Sequence, residues 1–364
     1  MSQSYCSVSN DEVAAIRCSL GRFDRAGVYL VEENALPAIL RKLGRRVLTP
    51  DDSETSLVKR GFHVKNDAAR EMLETIGRNF LTGFGHAVEA GSADALPALL
   101  ERVPIRFRGF AYEGAAMGFT MVDALTFARS RRLRGFLTGP GDDHVYMAYI
   151  GVGWAMARLP RFRWPKLRLD PLLQWFVLDG YGFHQAYFRT DRYVRKHYRE
   201  PLFPWPADDP YGYAGRALDQ GIGRALWFVG GTDPDVVATV IEGFPAVRRP
   251  DLYSGAGLAA TYAGGADEDE LRGFWKRAGR HRPQVAQGCA FAAEARRRSG
   301  LEVPHTEVAT QVFCDMSPDR AAQICIDAMP GRGEKATGES QGTQLPFEQW
   351  RRRIADEFVS LGRC

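Results

Sequence analysis

Acidic and imidazole side chains lie close together in the segment that follows TGPG. Asp142, Asp143 and His144 precede a long apolar run, and Tyr146 stands two residues further on. Two carboxylates and an imidazole at the start of a helix can bind a divalent cation, or act as acid and base beside an apolar cavity. The structural alternative is that one of the two aspartates caps the helix and interacts with its dipole.

A second segment, LLQWFVLDGYGFHQAYFRTDRY, contains polar residues among large apolar ones. It includes Asp179, His184 and Gln185, and helical spacing places His184 and Tyr187 on one face. Burial raises the pKa of a carboxyl group and lowers the pKa of a histidine, which prepares both groups for proton transfer near neutral pH. A hydrogen-bonded histidine of the core is the alternative interpretation.

Further polar residues interrupt apolar segments elsewhere: Glu113 in FAYEGAAMGF, Asp219 in LDQGIGRALWF and His86 in FLTGFGHAV. Arg224 follows Asp219 by about one helical turn, so we predict an ion pair between them. The candidate catalytic residues are Asp143, His144, Tyr146, Asp179, His184 and Asp219. The candidate substrate contacts are Glu113, Trp154, Tyr181, Tyr187, Gln220, Trp227 and Tyr253. The sequence specifies neither a metal nor a cofactor.

Several catalytic motifs are absent from the sequence. It contains no HExxH, no GxxxxGK[ST] and no GxSxG, so it gives no support to a zinc protease, a P-loop nucleotidase or an α/β-hydrolase. The paired aspartates complete neither DDxxD nor DxDD, the magnesium motifs of terpene cyclases. GIGRAL lacks a preceding strand and a third glycine, so it is not a dinucleotide fingerprint.

Apolar spacing predicts one helix after another from about residue 65. Helix starts are indicated at Asn66 or Asp67, at Ser92, at Asp233 before Pro234, and at Ser317 before Pro318. Strand patterns are scarce, and 28–31 is the only short candidate. We therefore predict a mainly α protein, a compact multi-helix domain with degenerate internal helix-pair repeats and little strand.

Glycine recurs with small and aromatic residues at a spacing of about 34 residues, which is within the range of helical repeats. The clusters centre on Gly83, Gly114, Gly151, Gly182, Gly221, Gly255 and Gly288. A glycine inside a helix costs about 1 kcal/mol relative to alanine, so the pattern predicts that helices approach one another closely at these positions. We favour a compact domain over an open superhelix because the period is irregular.

Four regions are predicted along the chain. Residues 1–64 form an N-terminal attachment segment with a helix at 35–43, and residues 65–329 form the helical core domain. Residues 330–346 are polar and glycine-rich, which predicts a flexible linker, and residues 347–364 form a C-terminal amphipathic helix. The proline-rich stretch 201–213 predicts a rigid loop, a connector in preference to a lid.

The composition, with 45% hydrophobic and 25% charged residues, is typical of a folded globular protein and argues against collagen, coiled coil and general disorder. The start of the chain lacks a secretory signal, and the apolar run 145–157 is shorter than the roughly 18 residues that a membrane span needs. We therefore expect a cytoplasmic protein without a membrane span. The six cysteines show no CxxC spacing and predict buried thiols.

The net charge of +4 does not indicate a nucleic-acid-binding protein. Positive charge is nevertheless concentrated in 129–168, where nine basic residues accompany two acidic ones. Such a region can dock an acidic protein, such as an acyl carrier protein, or a phosphate-bearing ligand. A solvated surface of two loops is the structural alternative.

Four strings, GDDHVYMAYIGVGWAMARLP, LDGYGFHQAYF, LDQGIGRALWFV and RRPDLYSGAGLAATYAGG, resemble the UnbL-type family of uncharacterised bacterial proteins. The resemblance covers about residues 60–330. It implies a role in enediyne polyketide biosynthesis, in which an iterative synthase makes a polyene and accessory proteins convert it into the enediyne core. By matching strings, the resemblance carries over Asp143, His144 and Tyr146, then Asp179, Gly182 and His184, then Asp219 and Gln220, and then Asp251, without a worked mechanism.

Three functions remain open at this point. The first is an enzyme that acts on a long unsaturated polyketide chain by acid-base or metal-assisted chemistry during maturation of the core. The second is a non-catalytic helical scaffold or polyene carrier that assembles partner biosynthetic proteins. The third is an enzyme similar to terpene cyclases, which would require magnesium and a prenyl diphosphate.

Overall fold

α-Helices dominate the architecture, as the sequence predicts. The computed structural model describes residues 35–90, 92–126, 130–165, 169–206, 209, 212–331 and 345–364. Within these ranges it contains 16 α-helices and no strand. The strand candidate at 28–31 lies outside the described residues.

The α-helices have the following bounds. They are α1 Ala35–Leu48, α2 Leu57–Arg60, α3 Asp67–Glu89, α4 Pro97–Leu100, α5 Ile105–Thr126, α6 Arg131–Leu137, α7 Val145–Arg158 and α8 Trp175–Phe188. They continue with α9 Ala214–Val229, α10 Pro234–Gly243, α11 Arg249–Ala263, α12 Glu268–Ala278, α13 Arg282–Arg298, α14 Pro304–Cys314, α15 Pro318–Asp327 and α16 Pro346–Ser360.

Side-chain caps begin several helices at the predicted positions. The Asn66 side chain accepts a hydrogen bond from the Ala69 amide before α3, and Asp233 accepts hydrogen bonds from the amides of Asp235 and Val236 before α10. Ser317 caps α15 in the same way. The structure confirms these three caps. In each of them a short polar side chain accepts a hydrogen bond from an amide that has no partner within the helix.

Two series of helices form the body of the protein. In the inner series α3, α5, α7, α8, α9, α11, α13 and α15 each pack against the next one. In the outer series α10 packs on α12, and α12 packs on α14. All of the inner helices except α15 carry a glycine cluster, one on each of α3, α5, α7, α8, α9, α11 and α13.

Glycine allows these helices to approach one another to backbone contact. A Cβ atom at Gly221 of α9 would lie 1.8 Å from the Asp179 carbonyl oxygen of α8, and one at Gly182 would lie 2.2 Å from the Leu218 oxygen of α9. Contacts below 3.0 Å do not occur for real Cβ atoms. Equivalent contacts occur at Gly83, Gly114, Gly151, Gly255 and Gly288. The predicted close approach is therefore confirmed at all seven clusters.

The ends of the described chain pack against the inner helices. α1 lies against α3, and α16 lies against α13 and α15. α1 extends five residues beyond its predicted end at residue 43. Most of the predicted linker, residues 332–344, lies outside the described residues. The domain boundaries at residues 64, 329 and 346 stay predictions.

Among the described helices, none combines the length and the hydropathy needed to cross a lipid bilayer.

Candidate functional site

A pocket with mainly apolar walls lies between α3, α5, α7, α8 and α9. The cavity itself has a volume of about 70 Å³, and it continues into a region that is open to solvent. Pro50, Glu54 and Thr55 form one side of the pocket ahead of α2. Aromatic residues make up much of the wall: Phe80, Phe84, Phe110, Trp154, Phe183, Tyr187, Phe188 and Phe228.

Trp154 of α7 is the centre of the aromatic wall. Its ring centroid lies 4.7 Å from that of Phe80 on α3 and 5.2 Å from that of Phe183 on α8. α7 and α8 approach this closely because Gly153 and Gly180 carry no side chain, so each faces a backbone carbonyl of the other helix. The same glycines that shorten the distance between helices therefore fix the distance between the rings.

A buried polar network forms the inner end of the pocket. Glu113 of α5 and Arg224 of α9 both line the pocket. The Arg224 Nη1 atom donates a hydrogen bond of 2.5 Å to Asp179 Oδ1, and Gln220 Nε2 donates one of 2.8 Å to Asp179 Oδ2. Asp179 therefore holds the Arg224 guanidinium in place, and its own two oxygens are both satisfied.

Glu113 is a carboxyl group in an apolar environment. Burial raises its pKa to about 8, against the opposing influence of the Arg224 cation, while the Asp179 charge adds to the rise and the Trp154 indole opposes it. At neutral pH most of the Glu113 side chains are therefore protonated and carry an O–H that can be donated. A protonated acid with a pKa near the working pH is a suitable proton donor and, after ionisation, a suitable proton acceptor.

His184 lies behind the wall of the pocket. Its ring packs edge-on against Trp154 with 5.4 Å between centroids, and it is tilted by 32° against Phe188 with 4.6 Å between centroids. Burial, together with Arg158, Arg189 and Arg60, lowers its pKa to about 3, so the imidazole is neutral at physiological pH. Its Nδ1 atom is buried and makes no hydrogen bond to any described residue. The ring supports the aromatic wall without lining the pocket.

The structure places the members of the first polar segment apart from the pocket and from one another. His144 stacks on Tyr112 with 3.5 Å between ring centroids, and burial, aided by Arg108, lowers its pKa to about 4. Tyr146 faces a small apolar cavity beside Phe176, between α7, α8, α11 and α13. Asp143 is exposed to solvent.

Neither Asp142 nor Asp143 caps α7, contrary to the structural alternative given for these residues. His144 is the N-cap residue, and no side-chain capping hydrogen bond is formed there by the described residues. Asp142 instead forms an ion pair with Arg298 of α13, with 3.2 Å between Oδ2 and Nη2. The two aspartates are both exposed because the turn at 139–142 positions them on the outside of the bend between α6 and α7.

The predicted ion pair between Asp219 and Arg224 is wrong. Asp219 binds Arg248, whose Nη2 atom lies 2.5 Å from Oδ1 and whose Nε lies 3.0 Å from Oδ2. A separation of five residues rotates two side chains to different faces of a helix, so Asp219 and Arg224 face opposite neighbours. Asp219 pairs with the residue that directly precedes α11, and Arg224 pairs with Asp179 of α8.

The remaining candidate contacts are spread through the core. Trp227 donates its indole N–H to the Gly264 carbonyl at 2.9 Å, and Tyr253 stacks on His281 at 5.2 Å. Tyr181 packs against Phe203 at 4.9 Å. Of the predicted substrate contacts, Glu113, Trp154 and Tyr187 line the aromatic pocket. Gln220 does not line the pocket but donates a hydrogen bond to Asp179 behind it. That any of these residues contacts a substrate stays a prediction.

Asp251, the last residue suggested by the matched strings, belongs to a second buried network. Its carboxylate binds Arg216 of α9 at 3.0 Å and Arg351 of α16 at 2.8 Å. Tyr213 accepts a hydrogen bond from Arg351 and donates one to Glu348. These ion pairs and hydrogen bonds link α16 to α9 and α11. None of the residues in this network lines the aromatic pocket.

Other residues of the pocket were not singled out from the sequence. Leu73, Ile76, Phe80 and Phe84 have the spacing of a core-facing helix stripe, and they line the pocket as well as the core. A core stripe and a pocket wall have the same spacing, so periodicity cannot distinguish them. Arg158 was counted only as part of the basic region, and it lies at the mouth of the pocket.

Several charges of the basic region have partners. Arg132 binds Asp123 at 3.1 Å, Arg161 forms an ion pair with Glu200, and Arg163 donates to the Ala124 carbonyl at 2.9 Å. Arg129, Lys166 and Arg168 lie outside the described residues. Docking of an acyl carrier protein here stays a prediction.

Groups of three or more His, Cys, Asp or Glu side chains placed to hold a metal ion do not occur within the described part of the chain.

No curated protein and no solved structure gives a significant match to the chain. A family model described as "Protein of unknown function (DUF1702)" matches residues 39–358, which is most of the sequence. The chain therefore belongs to the DUF1702 family of proteins of unknown function.

Proposed function

We propose that the protein is an enzyme that binds a long, unsaturated, apolar chain in the aromatic pocket and exchanges a proton with it through Glu113. The proposal places the enzyme among the accessory proteins of enediyne polyketide biosynthesis, as the resemblance to the UnbL-type family implies. The observation that carries it is a buried carboxyl group with a pKa of about 8 in the wall of an apolar aromatic pocket.

The walls suit a conjugated chain. Flat aromatic rings offer faces and edges against which a planar polyene can stack, and the apolar wall offers little that would hold water. Phe80, Trp154 and Phe183 surround the part of the pocket next to Glu113. Exclusion of water also protects reactive unsaturated intermediates from side reactions.

The proposed step is a proton transfer that balances within the site. Glu113 gives its proton to one carbon of the chain as the neighbouring double bonds shift, and the Glu113 carboxylate takes a proton back from another carbon. No atom or electron is gained or lost, so no further reactant is required. Arg224 stabilises the carboxylate that exists between the two transfers because its cation lies close to Glu113.

The test uses solvent deuterium. We expect the protein, incubated with a conjugated polyene ketone in heavy water, to catalyse incorporation of deuterium into the chain, measured by mass spectrometry. Glu113→Gln should abolish incorporation while polyene binding persists, because the amide keeps the volume but cannot exchange a proton in this way. Glu294→Gln is the matched control, since Glu294 is also a buried carboxyl group with a raised pKa but does not line the pocket.

The outcomes are distinct. Deuterium incorporation at the wild-type rate in Glu113→Gln would show that Glu113 is not the proton donor. A wild-type protein that binds no polyene at all, measured by the absorbance and fluorescence of the chain, would overturn the proposal as a whole.

A non-catalytic polyene carrier is the second candidate. It is favoured by the separation of the six predicted catalytic residues, which do not converge on one pocket. A carrier requires the pocket but no proton transfer. Full product formation by the Glu113→Gln variant in a producing host would support the carrier and exclude the enzyme.

A further inference from the structure

The mouth of the aromatic pocket contains a guanidinium group that the protein leaves without a direct partner. Arg158, at the C-terminal end of α7, lines the pocket one helical turn beyond Trp154. Its side chain makes no hydrogen bond and no close ion pair with the described residues. The residue is exposed to solvent at the mouth, and partial burial of its guanidinium group lowers its pKa.

Glu54, the nearest carboxylate of the mouth, is already bound to other cations. It accepts a hydrogen bond of 2.5 Å from Lys59 and forms an ion pair with Arg60. The bond to Lys59 is the largest of the influences that hold its pKa below the usual range. Glu54 attracts Arg158 through space but does not contact it.

The mouth as a whole is positively charged. Arg189 directly follows Phe188 of the pocket wall, and Arg60 lies over the Phe188 ring at 4.2 Å. Arg60, Arg158 and Arg189 all act on His184, which places the three guanidinium groups around one side of the pocket. The acidic groups here are Glu54 and Glu74, and Glu74 accepts a hydrogen bond from the Leu57 amide.

We propose that Arg158 binds an anionic oxygen headgroup of the chain that occupies the pocket, so that the ligand is an amphipathic acyl chain and not a pure hydrocarbon. This inference rests on the proposed function, because it assigns the headgroup of the chain that the pocket holds. The headgroup is the carboxylate of a released chain, or the phosphate on the arm of a carrier that holds the chain as a thioester. The apolar tail then extends past Trp154 towards Phe110 and Met117.

Arginine is suited to this role. Its planar guanidinium donates paired hydrogen bonds to a carboxylate or a phosphate, and such charge-assisted bonds are stronger than neutral ones. A charge at the mouth and a polar carboxyl group further in would also fix which carbons of the chain lie beside Glu113. The position of the headgroup would therefore select the site of proton transfer.

The test compares ligands that differ only in the headgroup. The probes are parinaric acid, a conjugated tetraene fatty acid, the alcohol with the same chain, and the corresponding alkyl phosphate. Binding is measured by the fluorescence of the tetraene at neutral pH. We expect the wild-type protein to bind an anionic probe about tenfold more tightly than the alcohol, the effect of a single charge-assisted hydrogen bond.

Arg158→Met should remove this preference and leave the affinity for the alcohol unchanged, since methionine keeps much of the apolar stem. Arg134→Met is the matched control because Arg134 is also an exposed arginine in the last turn of a helix, α6, but lies outside the pocket. Arg158→Lys should retain part of the preference, which would separate the loss of charge from a change in packing.

Each result decides a different question. If the carboxylate probe binds more tightly than the phosphate probe, the natural ligand is a released acid. If the phosphate probe binds more tightly, the headgroup is the phosphate on the arm of a carrier. Equal affinities for all three probes, or an unchanged preference in Arg158→Met, would overturn the role of Arg158 while binding of the alcohol still supported the pocket. Failure of all the probes to bind would overturn the proposed function itself.

Discussion

Arg224 lies between two buried carboxyl groups and hydrogen bonds to one of them. Its Nη1 atom contacts Asp179, while Glu113 remains close enough for its pKa to respond to the Arg224 cation. One buried cation compensates one buried negative charge, here that of Asp179. The second carboxyl group, Glu113, is then more stable in its neutral, protonated form. The chemistry that we assign to Glu113 therefore depends on the bond between Arg224 and Asp179.

The first prediction concerns Glu113 and pH. A carboxyl group whose pKa is raised from 4.5 to about 8 binds its proton more tightly in the folded state, so its contribution to stability is lost as the pH rises from about 4.5 to about 8. The free energy of unfolding should fall over this interval by up to about 4 kcal/mol. Glu113→Gln should remove that slope. Denaturant titrations from pH 5 to pH 8.5 measure it, and identical slopes in both proteins would contradict the raised pKa.

The second prediction concerns the buried ion pair. Arg224→Met leaves the Asp179 carboxylate with only Gln220 as a hydrogen-bond donor, and an uncompensated buried charge costs about 3–5 kcal/mol. Arg272→Met, which breaks the exposed pair with Glu268 on α12, should cost less than about 0.5 kcal/mol. Urea denaturation of both variants measures the difference. Equal losses of unfolding free energy in the two variants would show that the buried pair contributes no more to stability than the exposed pair.

The histidine candidates show how far a single residue can be understood from the sequence. His144 and His184 are both 7% exposed, as their apolar neighbours in the sequence suggest. The His144 ring packs on Tyr112 and the His184 ring packs on Trp154. These partners lie on other helices, so the spacing of residues within one helix could not predict them. Which groups meet across helices depends on the packing of those helices.

At the level of helices, glycine decides which elements are neighbours. Gly182 of α8 faces the Leu218 carbonyl of α9, and Gly221 of α9 faces the Asp179 carbonyl of α8. Two helices that contact each other through backbone atoms bring residues such as Asp179 and Arg224 within direct reach. The ion pair at the end of the pocket is thus a consequence of the glycines beside it.

The third prediction tests this packing. Gly221→Ala would place a Cβ atom 1.8 Å from the Asp179 oxygen, so α8 and α9 would have to separate, with a loss of at least about 3 kcal/mol or failure to fold. Gly273→Ala is the control because no other atom lies within 4 Å of its added Cβ in α12. This control should gain about 0.5–1 kcal/mol from helix propensity. Thermal unfolding of the purified variants measures both changes, and a tolerated Gly221→Ala would contradict the close contact.

Across the whole molecule, burial of neutral imidazoles makes folding sensitive to acid. Burial lowers the pKa of His144 to about 4, of His184 to about 3 and of His305 to about 4. Their contribution is complete above the unfolded pKa of 6.5 and is lost as the pH falls towards these values, because the unfolded chain binds protons that the folded chain does not.

The fourth prediction follows from these three rings. Stability should decline below about pH 6.5, by about 2 kcal/mol for each ring near pH 5. His184→Phe should reduce the decline because phenylalanine fills the aromatic site without titrating. His63→Phe is the control, since the His63 side chain is 41% exposed. Denaturation at pH 7 and pH 5 tests the prediction, and an unchanged decline in His184→Phe would contradict it.

The mainly α class of the fold, the caps at Asn66, Asp233 and Ser317 and the close approach of the glycine-bearing helices follow from the amino-acid sequence alone, whereas Ser92 forms no capping hydrogen bond with the described residues. Caps and apolar spacing act within a few residues of the chain, and a glycine in a helix indicates a close neighbour without naming it. Asn66, Asp233 and the seven clustered glycines therefore had the predicted roles.

Which polar groups meet depends on how the helices pack in three dimensions. Glu113, Arg224 and Asp179 come from α5, α9 and α8, and Asp219 pairs with Arg248 instead of with Arg224 on its own helix. The pocket, too, exists only where five helices converge, and its lining has the same spacing as an ordinary core stripe. Contacts between helices depend on crossing angles and distances that result from packing all of them together, and spacing along one helix does not contain this information.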